Sequence, residues 1–137
     1  GVAQLERIEY FVQKRKFNFN YLTENLQDLS SSLILPQPTV GSDPAWFGYP
    51  ITIRNKKLDR TELLQYLNKH KIDTRLLFAG NLTKQPYFED RKYRVSGNLE
   101  NTDQIMNQTF WVGLYPGLTE EMLNFTIDKI KTWLKTT

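Results

Sequence analysis

No cysteine occurs in the 137 residues, which excludes disulfides, thiolate metal sites, iron–sulfur ligation and a cysteine nucleophile within this chain. Histidine is nearly as scarce. The single copy, His70, cannot build a His-rich metal centre, and no Ser/His/Asp set assembles around it. Long apolar runs are missing as well: none reaches the roughly 20 residues of a membrane-spanning helix, and no signal peptide is visible, so the expected compartment is the cytoplasm. There is neither a phosphate-binding P-loop nor a dinucleotide glycine pattern. The formal charge is only +3. Basic residues lie in small scattered groups (Lys14 to Lys16, Arg54 to Lys57, Arg91 to Arg94, Lys129 to Lys135). Solvated helix faces and turns explain such groups, with a phosphate-binding patch as the lesser reading. Tyr93 among Arg91, Lys92 and Arg94 is a weak basis for nucleic-acid stacking, so no nucleic acid and no membrane is expected as partner.

What is present describes one globular domain over residues 1–137, with enough apolar and aromatic content (39% and 13%) to bury one ordinary core. Leu5, Ile8, Val12, Phe19, Leu22, Leu26 and Leu29 recur at alternating spacings of three and four, with Arg15 at the missing step, predicting a long amphipathic helix over 2–29. It has no N-cap and starts in mid-course. With Gly1 in place of Met, the expectation is an excised fragment. Residues 30–45, rich in Ser and Pro, read as an irregular crossing segment, ahead of a sheet-and-helix body over 46–137. Phe47, Tyr49, Ile51 and Ile53 alternate as a strand that Pro50 assigns to an edge or a bend. Asp59-Arg-Thr-Glu62 has the form of a capping box opening a helix to Lys69, with Leu63, Leu64 and Leu67 inward. His70, in its last turn, reads as structural. Further on, a polar stretch over 89–100 leads to a short helix over 102–107, capped by Thr102 or Asn101, then a strand over 109–114. Thr119 caps a final helix whose stripe is Leu123, Ile127, Ile130 and Leu134. Glu120 and Glu121 sit in its first turn, where the macrodipole accounts for them. The fold class is α+β: a three-stranded, mainly antiparallel sheet with helices on one face and the long N-terminal helix.

The stretch that organises the chain is Asp73–Phe88, DTRLLFAGNLTKQPYF. Leu76, Leu77 and Phe78 form a short apolar run that reads as a buried strand. It breaks at Gly80, which permits turns other residues resist, and at Asn81, which tolerates left-handed geometry and offers both a donor and an acceptor. Gln85-Pro86 sets a second turn. Amides at a strand's mouth suit a polar ligand; a strand-to-loop exit with satisfied amides is the simpler reading.

Four segments carry a resemblance. GVAQLERIE at the start, then WFGYPITIR, TRLLFAGNLTKQPYF and NTDQIMNQTFWVGLYPGLT are similar, in order and spacing, to the C-terminal part of the DegT/DnrJ/StrS family of sugar aminotransferases and dehydratases. Within it they resemble the CDP-4-keto-6-deoxy-D-glucose 3-dehydrase branch of O-antigen sugar biosynthesis. The resemblance covers essentially the whole chain. It implies the small C-terminal domain of a fold type I pyridoxal-phosphate enzyme, with the large cofactor domain absent. It also implies a pyridoxal or pyridoxamine phosphate (PLP/PMP) cofactor as electron sink for loss of the C3 hydroxyl, and His in place of the Schiff-base Lys. An iron–sulfur centre, a reductase partner and a homodimer follow for the full-length protein, all with ligands outside this chain. By the same resemblance Trp46, Phe47, Gly80 and Asn81 stand near sugar and cofactor, supported by Phe78 and Gln85, and Asn81 is the best candidate for a direct hydrogen bond. Trp46 and Phe47 read equally well as plain core. Family members carry Arg where this chain has Gln104, and a neutral amide cannot form a charge-assisted bond to a phosphate or sugar oxygen. Either that role has moved or the substrate preference differs.

No catalytic residue is assigned in the chain, and the fragment is expected to be silent alone. Three other readings stay open: a PLP-dependent sugar aminotransferase domain, a stand-alone binding module for an acidic partner, and a self-associating domain using the unpaired stripe of the first helix.

Overall fold

The structure is a computed structural model and describes residues 1–136. Its core forms where the periodic segments face one another. The first helical region is α1 (Val2–Leu5) and α2 (Ile8–Leu26), followed by a single 3-10 turn, Gln27–Leu29. The expected continuous helix is therefore interrupted at Glu6 and Arg7, and no side chain caps either piece. The cause lies in packing. Phe19, Leu22 and Leu26 are buried, whereas Val2, Leu5 and Ile8 are 77%, 64% and 53% exposed. Without a surface to lie on, the first turns have only local propensity to hold them, and short helices are marginal on that alone.

Strand β2 (Gly48–Ile53) sends Tyr49, Ile51 and Ile53 into the core. Helix α3 (Arg60–Lys69) starts where the Asp59 carboxylate accepts the Thr61 N–H at 2.6 Å, and it buries Leu63 and Leu67. It ends in a left-handed residue, Lys71 (φ 63°), with Ile72 N–H returning to Leu67 O at 3.0 Å, the closure usually given to glycine. His70 is held in that last turn, Nδ1 2.8 Å from Tyr66 O and its ring against Tyr66. Strand β3 (Thr74–Leu76) follows. Helix α4 (Glu100–Gln108) begins two residues earlier than expected, with no side-chain cap from Asn101 or Thr102, and runs directly into β4 (Thr109–Gly113). In α5 (Glu120–Thr136) Met122 N–H reaches the Thr119 hydroxyl at 3.3 Å, and Trp133 rather than Leu134 completes the buried stripe of Leu123, Ile127 and Ile130.

Among the described residues the sheet has four strands, not three. Within the segment expected to be irregular, β1 (Leu33–Ile34) pairs with β2, giving the order β1-β2-β4-β3 with every pairing antiparallel. Leu33 joins the core, which explains why two residues suffice to fix the strand. Pro50 thus lies in an interior strand rather than at the sheet's edge. Arg54 N–H bonds Ser32 O on the β1 side, and alternation puts the nitrogens of Thr52 and Pro50 on that side too. But β1 reaches only Ile34, opposite Thr52, so Pro50 stands beyond its end and its missing N–H breaks no ladder.

One face of the sheet carries Tyr49, Ile51, Ile53, Phe110 and Val112, and α2, α3 and α5 close over it in one hydrophobic cluster. Burial raises the pKa of the Tyr49 phenol, and its hydrogen bond with Thr23 opposes the shift. Helix α4 contributes no buried residue. The other face of the sheet is left partly open. Among the described residues no helix is long and apolar enough to cross a membrane, and no cluster of three or more His, Asp or Glu could hold a metal.

Candidate functional site: the open sheet face and its turn

The open face follows from strand parity. With Phe110 and Val112 inward, Trp111 must point outward, opposite Pro50 on β2 and Arg75 on β3. Its indole lies across Gly48: a Cβ placed there would meet Trp111 Cε3 at 2.5 Å. Nε1 donates to Leu76 O at 3.3 Å. Phe47, 58% exposed, stands against the indole edge-on, with centroids 5.3 Å apart and planes at 79°.

Leu76 O also accepts from Phe78 N–H at 2.8 Å, and Gly80 N–H from the next turn reaches Leu77 O at 3.3 Å. The chain leaves β3 through two left-handed residues, Phe78 (φ 49°) and Gly80 (φ 64°). The run Leu76–Phe78 is therefore not a buried strand: Leu76 is 51% and Phe78 78% exposed on a sheet edge. Left-handed geometry is absent from Asn81 (φ −77°), which instead caps the 3-10 turn Leu82–Lys84. Gln85 Nε2 donates to Ala79 O at 2.6 Å and closes the loop, and a second 3-10 turn, Pro86–Phe88, follows.

Beneath the turn lies a recess of about 190 Å³ whose walls include Arg60, Phe78, Gly80, Gln85 and Met106. Arg60 Nη1 donates to Met106 O at 2.6 Å and Thr109 O at 3.1 Å, tying the end of α4 and the start of β4 to the start of α3. Its Nε is buried without a hydrogen-bond partner among the described residues. Burial lowers its pKa, against the neighbouring charge of Asp59, which raises it.

The residues named from the sequence fall into three groups. Phe78, Gly80 and Gln85 share the recess, and Phe47 joins Trp111 on the open face. Trp46 goes the other way: it stacks on Phe19 of α2 at 5.4 Å and 10°, on the core side. There it is half-buried and packs against the hydrophobic cluster. Asn81 is only 2% exposed. Its Oδ1 accepts from Thr83 N–H (3.0 Å) and the Thr83 hydroxyl (2.7 Å), and its Nδ2 donates to Asp103 Oδ1 at 2.7 Å. It pins the turn to α4 and is not presented to a ligand. The hydrogen bonds from Lys84, at 2.9 Å, and from Asn81 hold the Asp103 carboxyl below its usual range. Gln104 is half-buried on α4 and is not part of the recess wall.

Trp111 and Arg60 were not singled out by the sequence. The alternation in TFWVG carried the signal for Trp111. Arg60 looked like an ordinary second residue of a capping box, and its partners lie 46 and 49 positions away. A larger groove of about 690 Å³ between the start of α5 and the His70–Asp73 loop contains none of these residues.

As a primary site for pyridoxal or pyridoxamine phosphate, these residues do not fit. The lysine on this loop, Lys84, is committed to Asp103, and His70 lines the other groove with Nδ1 against Tyr66 O. What the arrangement offers is an aromatic wall with a hydrogen-bonded, glycine-containing turn at its edge.

The family model described as the DegT/DnrJ/EryC1/StrS aminotransferase family matches residues 1–131. Among curated proteins, the chain is 56% identical over 132 residues to the lipopolysaccharide biosynthesis protein RfbH of Salmonella typhimurium, covering 96% of this chain and 30% of that protein. It is 42% identical over 131 residues to a dTDP-4-dehydro-2,6-dideoxy-D-glucose 3-dehydratase of Saccharopolyspora spinosa, covering 95% and 28%. Among solved structures, E. coli GDP-4-keto-6-deoxy-D-mannose-3-dehydratase with bound hydrated PLP superposes with a TM-score of 0.83 at 23% identity, covering 94% of this chain and 33% of that one. The last comparison speaks for the fold. The chain spans about 30% of the length of the curated relatives it matches.

Proposed function

From the premise that the chain belongs to the DegT/DnrJ/EryC1/StrS aminotransferase family, we propose that it is the small-domain wall of the substrate cleft in a nucleotide-sugar 3-dehydratase. The observation that carries this reading is the 42% identity, over nearly the whole chain, to a relative named as a 3-dehydratase. The 56% identity to a lipopolysaccharide biosynthesis protein supports a place in deoxysugar assembly for surface polysaccharide. In this reading 1–137 is one domain, and a separate domain of the same protein supplies the cofactor and the proton-transfer groups, in agreement with the poor fit of Lys84 and His70 to that task. When bound there, the cofactor supplies an electron sink; this chain's residues position and enclose. Phe47 and Phe78 line the cleft, Gly80 and Gln85 shape the turn at its mouth, and Asn81 holds that turn on α4. Gln104, where family members carry Arg, leaves a neutral amide in place of a charged contact to the substrate. The substrate we assign is a CDP-linked 4-keto-6-deoxyhexose. A homodimer, an iron–sulfur cluster held outside this cysteine-free chain, a reductase and a cytoplasmic setting complete the proposal.

A second reading, a sugar aminotransferase, is favoured by the family's own description. Both are tested by incubating the full-length protein with CDP-, dTDP- and GDP-linked 4-keto-6-deoxysugars. One series contains PMP; the other contains PLP with glutamate. The expected result is loss of the C3 hydroxyl with the CDP sugar in PMP and no amino sugar. Amination at C4 in the glutamate series would transfer the assignment to an aminotransferase. Residues 1–137 alone are expected to turn over neither.

A further inference from the structure

The open sheet face holds one aromatic group that the sequence reading did not use. Three independent constraints fix the Trp111 indole. Gly48 leaves room for its six-membered ring to lie flat on the neighbouring backbone, with Cε3 at 2.5 Å and Cδ2 and Cζ3 at 3.1 Å from where a Cβ would stand. The Nε1–H bond to Leu76 O sets its rotation in that plane. Phe47 closes one side at 79°. One indole face is thus spent on the sheet, the side chain is half-buried, and a second ring stands perpendicular to it. Leu76 O accepts from both Trp111 Nε1–H and Phe78 N–H, so the indole and the recess turn share one anchor. The rim is polar: Arg75, opposite Trp111 on β3, projects from the same face and is fixed by Asp73 at 2.6 Å.

We propose that Trp111 is the floor and Phe47 the upright side of an aromatic corner that receives one face of the substrate's pyranose ring. The chemistry matches in both directions. A pyranose presents C–H groups, weakly positive, on one face and hydroxyl or keto oxygens around its edge. An indole face is electron-rich, and the polar edge of the sugar meets Arg75 and the turn. A pre-set rotamer also reduces the ordering cost of binding. This assignment deepens the nucleotide-sugar reading above and rests on it.

The test is steady-state kinetics of the full-length enzyme carrying Trp111→Leu or Trp111→Phe, with inhibition by free CDP measured in parallel. Trp111→Leu is expected to raise KM for the nucleotide sugar roughly three- to tenfold, the equivalent of one aromatic contact, with kcat within about twofold. Trp111→Phe should recover most of the loss, and Ki for CDP should not move. Unchanged KM in Trp111→Leu, with a working enzyme, overturns the corner while leaving the dehydratase reading intact. A Ki for CDP that rises in step with KM overturns it too, by placing the base rather than the sugar on the indole. If Trp111→Leu does not fold, wild-type enzyme labelled with 5-fluorotryptophan decides. The Trp111 resonance must shift with CDP-glucose and methyl α-glucoside but not with CDP, and a silent signal refutes the proposal. A wild-type enzyme that converts no nucleotide sugar, yet shows the methyl glucoside shift, would remove the functional reading and keep the corner.

Discussion

Replacing Gly80 with alanine tests how rigidly the recess turn is held. Gly80 has φ 64°, where a side chain costs about 1 kcal/mol or more. The new Cβ would also stand 2.5 Å from Met106 Cγ, 2.8 Å from Met106 Cβ and 3.2 Å from its sulfur. Rotating Met106 relieves the Cγ and sulfur contacts. It cannot move Met106 Cβ, which is fixed to α4, and α4 is in turn held by the Arg60 bond to Met106 O. Overpacking of this kind adds roughly 1–3 kcal/mol, so Gly80→Ala should cost about 2–4 kcal/mol in urea unfolding of this chain, or roughly 6–20 °C in Tm at this length. The double variant Gly80→Ala/Met106→Ala separates the two causes. Removing Cγ and sulfur should return about 1 kcal/mol as a favourable coupling, while the backbone and Cβ contributions persist. A Gly80→Ala cost below about 0.5 kcal/mol, or a coupling near zero, would show that turn and helix slide freely and would refute the pinned-turn reasoning.

Three further outcomes follow from the same contacts. Arg60→Met should destabilise by about 2 kcal/mol, because Met106 O and Thr109 O lose a charged donor, and it should accelerate amide exchange in α4 more than in α5. Asp59→Ala should cost about 1 kcal/mol by removing the cap on Thr61 N–H, read from the urea midpoint with an unchanged m-value. Asp103 has a folded pKa lowered by its hydrogen bonds from Lys84 and Asn81. Its contribution is therefore present above the unfolded carboxyl value near 3.9 and is lost as pH falls through the lower folded value. Asp103→Asn should flatten that acid limb in pH-dependent unfolding, and an identical limb in both proteins would count against the clamp.

How much was legible in the sequence depended on whether a segment's burial is decided locally. Leu63, Leu67, Leu123, Ile127 and Ile130 are buried as their spacing requires, because a helix or strand with one apolar face has one sensible way to lie. The two residues of β1 could not be seen, since a period needs more than one repeat to appear. Leu76–Phe78 misled for a related reason. An apolar triplet reads as interior, yet it lies on a sheet edge and keeps its surface open. Trp111 shows what parity adds, since the inward direction of Phe110 and Val112 turns it to the open face. Trp46 lies before β2 begins, so alternation does not govern it, and its stacking on Phe19 is a tertiary contact. Asn81 makes its side-chain bonds inside the protein, and its partner Asp103 is 22 residues away, beyond what a one-dimensional reading can place.

The proline in β2 has a consequence for how this sheet meets other molecules. An open sheet normally invites another strand to add along its margins, the route by which exposed β-structure polymerises. Beside residues 48–50 the margin left uncovered by β1 offers a tertiary nitrogen at Pro50, so an incoming strand loses one donor at that position. The opposite margin, β3, is three residues long, carries Arg75 and is followed two residues on by the left-handed Phe78. Both margins of the sheet thus carry features that discourage strand addition beside its partly open aromatic face.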